Sequence, residues 1–90
     1  MKESEIENQV CKYASKAGWY VRKFSSPGHR GVPDRVLLSP TGLIIFIEFK
    51  APSKKPSALQ VDEIAQIRKR GGIVYIVDNV EEGKKIIDSS

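Results

Sequence analysis

Apolar residues near the start of the chain recur with the spacing of one face of an α-helix. They fall at Ile6, Val10, Tyr13, Ala14 and Ala17. Serine is favoured at helix N-termini and glycine just after helix ends, so Ser4 and Gly18 mark the two limits. The pattern predicts a first helix that opens at Ser4 and runs to about residue 17.

Three strand-like segments follow this helix. Residues 19–24 alternate between two sides, and a loop rich in glycine and proline, residues 25–33, separates them from a short strand at 35–39. A tight turn at 40–42 leads into a longer apolar strand at 43–50. The short connection predicts that the last two strands pair as a hairpin.

The second half of the chain adds a helix, a strand and another helix. A loop rich in lysine and proline at 51–56 precedes a helix that Ser57 caps and that runs to about residue 70. Residues 73–77 are almost all β-branched or aromatic, which is typical of a strand buried on both faces, and residues 80–87 fit a short last helix. The order α-β-β-β-α-β-α predicts an α/β fold with a mixed sheet flanked by helices, in which residues 1–90 form a single domain.

Composition excludes several classes of protein. No stretch approaches the roughly 20 apolar residues that span a bilayer, and the N-terminus lacks the apolar core of a signal peptide. One cysteine and one histidine form neither an internal disulfide nor a zinc cage. We therefore expect a cytoplasmic protein.

Positive charge is concentrated around the two loops. Fifteen lysine and arginine residues against eleven acidic ones give a formal net charge of +4, which is by itself weak evidence for a nucleic-acid partner. The candidates for contacts with a DNA backbone lie in or beside the loops and are Lys23, His29, Arg30, Arg35, Lys54 and Lys55. The alternative is that these side chains only keep the protein soluble.

Two carboxylates and a lysine lie at the ends of the predicted hairpin strands. Asp34 stands at the start of one strand, and Glu48 and Lys50 share a face near the end of the next, with the backbone carbonyl of Phe49 between them. Phosphodiester cleavage uses a divalent cation held by such oxygens, and a lysine can orient water or stabilise charge on the phosphate. The alternatives are a turn residue for Asp34 and an exposed ion pair for Glu48 and Lys50.

The residues around this cluster resemble a known nuclease family. Pro33-Asp34 followed by Glu48-Phe49-Lys50 after a hairpin matches the PD-(D/E)XK superfamily. A longer pattern, from Glu7 to Asp78, is similar to the virus-type replication-repair nuclease (VRR-NUC) domain. Its segments are Lys23-Phe24-Ser25-Ser26-Pro27-Gly28, Gly31-Val32-Pro33-Asp34-Arg35, Glu48-Phe49-Lys50-Ala51-Pro52 and Gln60.

The resemblance implies a restriction-endonuclease-like core and an endonuclease that depends on Mg²⁺ or Mn²⁺. Because the family is related to Holliday junction resolvases, the implied substrate is branched or double-stranded DNA, and a standalone phage-type chain is expected to act as a homodimer. The implied metal ligands are Asp34, Glu48, the carbonyl of Phe49 and, from the first helix, Glu7, with Glu3 as a weaker candidate. The implied catalytic residues are Asp34, Glu48, Lys50, Glu7 and Gln60.

Two of these residues have a competing structural role. Ser4-x-x-Glu7 and Ser57-x-x-Gln60 are both capping boxes, in which the side chain of the fourth residue satisfies the backbone at the start of a helix. Because Gln60 shares a helical face with Ile64 and Ile67, the alternative for Gln60 is a side chain that points towards the sheet and the site.

Three other functions remain open at this point. A sequence-specific restriction-type endonuclease could share the fold, although the short chain leaves little room for a segment that reads bases. A module that binds nucleic acid without cutting it would gain nothing from carboxylates that face phosphates. A small ligand-binding or regulatory domain would have no affinity for metal or DNA.

Overall fold

Three helices and four strands make up the chain in the predicted order. The computed structural model describes residues 1–90. The elements are α1 (Glu3–Lys16), β1 (Tyr20–Lys23), β2 (Arg35–Leu38), β3 (Ile44–Phe49), α2 (Ala58–Lys69), β4 (Val74–Val77) and α3 (Val80–Ser89). The α/β class and the order α-β-β-β-α-β-α are confirmed, and most strand ends lie one residue inside the predicted ones.

The four strands form one mixed sheet in the order β1-β2-β3-β4. The first two pairs are antiparallel, and β3 and β4 are parallel because α2 carries the chain back across the sheet. The predicted hairpin is the β2-β3 pair, in which Arg35 lies opposite Ile47. This register places the start of β2 beside the end of β3.

The two faces of the sheet are covered differently. Apolar residues of β2, β3 and β4 on one face pack with α1 and α3 into a single core cluster of 12 buried residues. Leu37, Ile45, Ile47, Phe49 and Val77 are its members from the sheet. Side chains alternate along β3, so Glu48 lies on the other face, where Gln60 of α2 contacts it.

The first helix begins earlier than predicted. Its N-cap is Lys2, whose backbone N–H donates a 3.1 Å hydrogen bond to the carboxylate of Glu5. The prediction that Ser4 opens the helix is wrong, because Glu5 rather than Glu7 reaches back to the free N–H group. Glu7 therefore lies inside the helix and is not part of a capping box.

Strand β4 also differs from its prediction. It is an edge strand, and although Val74 and Val77 are buried, Ile76 is 39% exposed. The expectation of burial on both faces is wrong because α2 covers only part of this side of the sheet. None of the three helices is both long and apolar enough to cross a membrane.

Candidate active site

The carboxylates predicted at the hairpin lie together at one end of the sheet. Asp34 immediately precedes β2, Glu48 is the second-last residue of β3, and Lys50 directly follows that strand. The Oδ2 atom of Asp34 accepts a 2.8 Å hydrogen bond from the backbone N–H of Phe49, which joins the two strand ends. This bond fixes Asp34 beside the strand that carries Glu48 and Lys50.

Glu48 is a buried carboxylate with uneven contacts. Its side chain is almost fully enclosed, and Oε2 accepts a 2.8 Å hydrogen bond from Nε2 of Gln60 and lies 3.3 Å from Nζ of Lys50. Its other oxygen, Oε1, is buried and has no hydrogen-bond partner. A buried polar atom without a partner is unfavourable, so a group that binds Oε1 would relieve this cost.

Burial and neighbouring charges raise the pKa of both carboxylates. Burial, with a further contribution from the charge of Asp34, raises the pKa of Glu48 to about 7, and Lys50 opposes the rise. Burial also raises the pKa of Asp34, while the hydrogen bond from Phe49 lowers it and the charge of Glu7 raises it again. Two carboxylates that resist ionisation together favour a cation between or beside them.

Gln60 both caps the start of α2 and contacts Glu48, the two alternatives that its position in the sequence allowed. Its Oε1 atom accepts a 2.9 Å hydrogen bond from the backbone N–H of Ser57, and its own backbone N–H donates to Oγ of Ser57. The same side chain donates from Nε2 to Glu48. The capping box therefore holds the amide in the orientation that reaches the buried carboxylate.

Glu7 reaches the region of the site through an arginine. Its Oε2 atom accepts a 2.7 Å hydrogen bond from Nε of Arg35, and both side chains are mostly buried between α1 and β2. No three His, Cys, Asp or Glu side chains converge to hold a metal ion by themselves. Asp34 and Glu48 are thus brought together, while Glu7 lies in an ion pair next to them.

The basic candidates divide into two groups. Arg35 has only 16% of its side chain exposed and pairs with Glu7, so its place is inside the fold rather than on a DNA-facing surface. The other candidates are exposed, and His29 lies 3.9 Å from Glu63 of α2. They are Lys23, His29, Arg30, Lys54 and Lys55.

One close contact beside the site was not evident from the sequence. Gly31, in the loop between β1 and β2, lies directly against the backbone of Leu59 and Gln60 at the start of α2. The sequence indicates a flexible loop here but not which element the glycine approaches. The only signal is its position two residues before Pro33-Asp34.

Comparisons with known proteins agree with this geometry. No protein-family model matches the chain. A protein of Acyrthosiphon pisum secondary endosymbiont phage 1, provisionally named nuclease p44, is 42% identical over 79 residues, which are 88% of this chain and 85% of that protein. A solved structure described as a VRR_NUC domain superposes with a TM-score of 0.90 at 32% identity, covering 98% of this chain and 96% of the other.

The fold and the acid-acid-lysine cluster, together with these relatives, define an α/β nuclease with a PD-(D/E)XK-like core. The chain belongs to the VRR-NUC family of nucleases. The resemblance read from the motif residues is thereby confirmed, and so is the fold that it implied.

Proposed function

We propose that this chain is an endodeoxyribonuclease that hydrolyses phosphodiester bonds with the help of Mg²⁺ or Mn²⁺. The observation that carries the proposal is the buried Oε1 atom of Glu48, which lacks a partner in a site that also contains Asp34 and Lys50. A structural ion pair would use both oxygens or expose the free one to solvent. A carboxylate that keeps one buried oxygen unpaired fits a cation ligand.

The donor set fits a small hard cation. Asp34, Glu48 and the backbone carbonyl of Phe49 would hold the ion, and Mg²⁺ commonly takes few protein oxygens and keeps several waters. When bound, the cation would neutralise charge on the phosphate and lower the pKa of an attacking water. Without a third carboxylate in direct reach, the set agrees better with Mg²⁺ or Mn²⁺ than with a caged structural metal.

The surrounding residues position these groups. Nζ of Lys50 is fixed 3.3 Å from Glu48, from where it can orient the attacking water or stabilise the charge that develops on the phosphate. Gln60 holds one oxygen of Glu48 and leaves the other free, and the N–H of Phe49 does the same for Asp34. Glu7 is the outer acidic member of the proposed site and adds negative charge next to Asp34.

The proposed substrate is branched or double-stranded DNA. Two loops, residues 24–34 and 50–57, border the carboxylates, and their exposed basic side chains can contact phosphates on either side of the cut. We propose that the chain acts as a homodimer, which would present two sites to one branched substrate, and that it works as one domain in the cytoplasm. Sedimentation over a range of concentrations, with and without a four-way junction, measures the oligomeric state.

Cleavage of a labelled DNA panel tests the function. The panel contains a four-way junction, a flap, a single strand, a linear duplex and a supercoiled plasmid, each with Mg²⁺, Mn²⁺ or EDTA. We expect metal-dependent cutting by the wild type and a loss of at least about 100-fold in Asp34→Ala and Lys50→Ala. The matched controls Asp62→Ala and Lys69→Ala change exposed residues of α2 and should cut like the wild type.

The same panel separates the alternatives. Tight binding of the junction without cutting by any metal would replace the proposal with a non-cleaving binding module. Cutting restricted to one duplex sequence would indicate a restriction-type enzyme on the same fold. A chain that neither binds nor cuts any of these DNAs would contradict all three.

A further inference from the structure

The loop between β1 and β2 lies directly against the backbone of the first turn of α2 at Gly31. A Cβ atom at Gly31 would lie 2.7 Å from the carbonyl carbon and oxygen of Leu59 and 2.9 Å from the amide nitrogen of Gln60. These are backbone atoms of a capped helix, so they have no freedom to move aside as the end of a long side chain does. Gly31 also has a φ of +87°, which favours glycine.

The contact lies at the residue that reaches the site. Leu59 and Gln60 form the first turn of α2, and the side chain of Gln60 donates the 2.8 Å hydrogen bond to Oε2 of Glu48. The loop itself is anchored near its other end, since the N–H of Phe24 donates a 2.9 Å hydrogen bond to the carbonyl of Asp34. Gly31 therefore connects the segment that carries Asp34 to the helix that orients Glu48.

We propose that Gly31 is a positioning residue for the cation site. Its lack of a side chain lets the loop and the α2 backbone come into contact, and this contact sets where Gln60 stands relative to Glu48. With Gln60 in place, Oε2 of Glu48 is engaged and Oε1 is left for the cation. The inference rests on the proposed metal-dependent function and names a residue outside the predicted catalytic set on which metal binding depends.

A second glycine in the same loop provides a matched control. Gly28 has a φ of +79°, so alanine there suffers a similar backbone strain. A Cβ at Gly28, however, would meet nothing within 4 Å. Comparison of Gly31→Ala with Gly28→Ala thus separates the contact with α2 from the conformational effect of losing a glycine.

The test measures metal binding directly, in the absence of DNA. Mn²⁺ is titrated into each variant and the free ion is followed by electron paramagnetic resonance, with unfolding curves recorded in parallel. We expect Gly31→Ala to weaken Mn²⁺ binding about tenfold, the size seen when residues that orient metal ligands are changed. Gly28→Ala should change the dissociation constant less than about twofold, although both variants lose stability.

A double-mutant cycle with Gln60→Ala tests the route of the effect. If Gly31 acts through Gln60, then Gly31→Ala should weaken Mn²⁺ binding far less in the Gln60→Ala background than in the wild type. Additive effects would overturn the proposal. Gln60→Ala alone also decides the question if Gly31→Ala does not fold, because unchanged Mn²⁺ affinity in Gln60→Ala removes the link on which the proposal depends.

The outcomes distinguish this inference from the proposed function. Equal Mn²⁺ affinities in Gly31→Ala and Gly28→Ala would overturn the positioning role and leave the nuclease proposal intact. A wild type that binds Mn²⁺ but cuts no DNA would overturn the proposed function. The ratio of the Mn²⁺ affinities of Gly31→Ala and Gly28→Ala would still test the role of Gly31. A wild type without any Mn²⁺ affinity would overturn both.

Discussion

At the scale of single residues, the chemistry depends on how the two oxygens of Glu48 are used. Gln60 and Lys50 both contact Oε2, and Oε1 is buried without a partner. The protein thus keeps an acidic group in an unfavourable environment at the place where a cation would relieve it. Such a group should lower the stability of the metal-free protein and raise that of the metal-bound one.

The first prediction concerns how the destabilisation by the buried Glu48 carboxylate depends on pH. The pKa of Glu48 in the folded protein, about 7, lies above its ordinary value of 4.5, so the folded state binds this proton more tightly than the unfolded state. Without metal, the contribution of Glu48 to stability should therefore fall as the pH rises from about 4.5 to 7 and stay low above that. The quantity to compare is the unfolding free energy of Glu48→Gln minus that of the wild type, measured in EDTA. This difference should be about 2 to 3 kcal/mol larger at pH 8 than at pH 4.

Urea unfolding in EDTA at the two pH values measures this difference. A constant gap between Glu48→Gln and the wild type would show that the carboxyl group does not titrate in this range. Addition of Mg²⁺ at pH 8 provides the control, because it should stabilise the wild type and leave Glu48→Gln unchanged.

At the scale of elements, helix α1 is joined to the sheet by packing and by one ion pair. Ile6, Val10 and Ala14 are fully buried in the core, and Glu7 pairs with Arg35 immediately after Asp34. The pair is shielded from solvent, so the loss of one partner leaves a charge that the other no longer balances. Glu7 therefore connects the position of α1 to the segment that presents Asp34.

The second prediction is a coupling energy between Glu7 and Arg35. In EDTA, the substitution Arg35→Met should lower the unfolding free energy by about 1 to 2 kcal/mol more in the wild-type background than in the Glu7→Gln background. Urea unfolding of the four proteins completes the cycle. A coupling near zero would show that the pair is as weak as an exposed one. If the coupling disappears when Mg²⁺ is added, Glu7 leaves Arg35 for the cation.

The same elements show how far sequence can predict this site. Asp34, Glu48 and Lys50 were identifiable because a two-residue period and a short hairpin place them together whatever surrounds them. The partners of Glu7 and Gly31 could not be identified from the sequence, because each contact joins segments distant in the chain and depends on how a helix packs on the sheet. Gln60 lay between these cases, since its capping box was local and its bond to Glu48 was not.

At the scale of the whole molecule, one end of the sheet brings together the site and the two loops that carry the exposed basic candidates. The loops that begin after β1 and β3 both lie at the end where Asp34 and Glu48 meet, and they carry Lys54, Lys55 and Arg30. Lys16, in the last turn of α1, lies at the other end, near the strand positions Tyr20 and Leu38 that pair farthest from the site. The loops that border the two carboxylates thus carry cationic side chains suited to a polyanion.

The third prediction follows from this asymmetry. A lysine that contacts a phosphate releases counterions on binding, so its removal should lower both affinity and the dependence of affinity on salt. Lys54→Ala should reduce the slope of log K against log salt concentration by about one unit on a four-way junction, with binding measured in Ca²⁺. Lys16→Ala removes the same charge from the opposite end and should leave the slope unchanged. Equal reductions of the slope in the two variants would mean that DNA binding responds only to net charge and that the loops do not contact DNA. A reduction confined to Lys54→Ala would place the phosphates along the end of the sheet that carries Glu48.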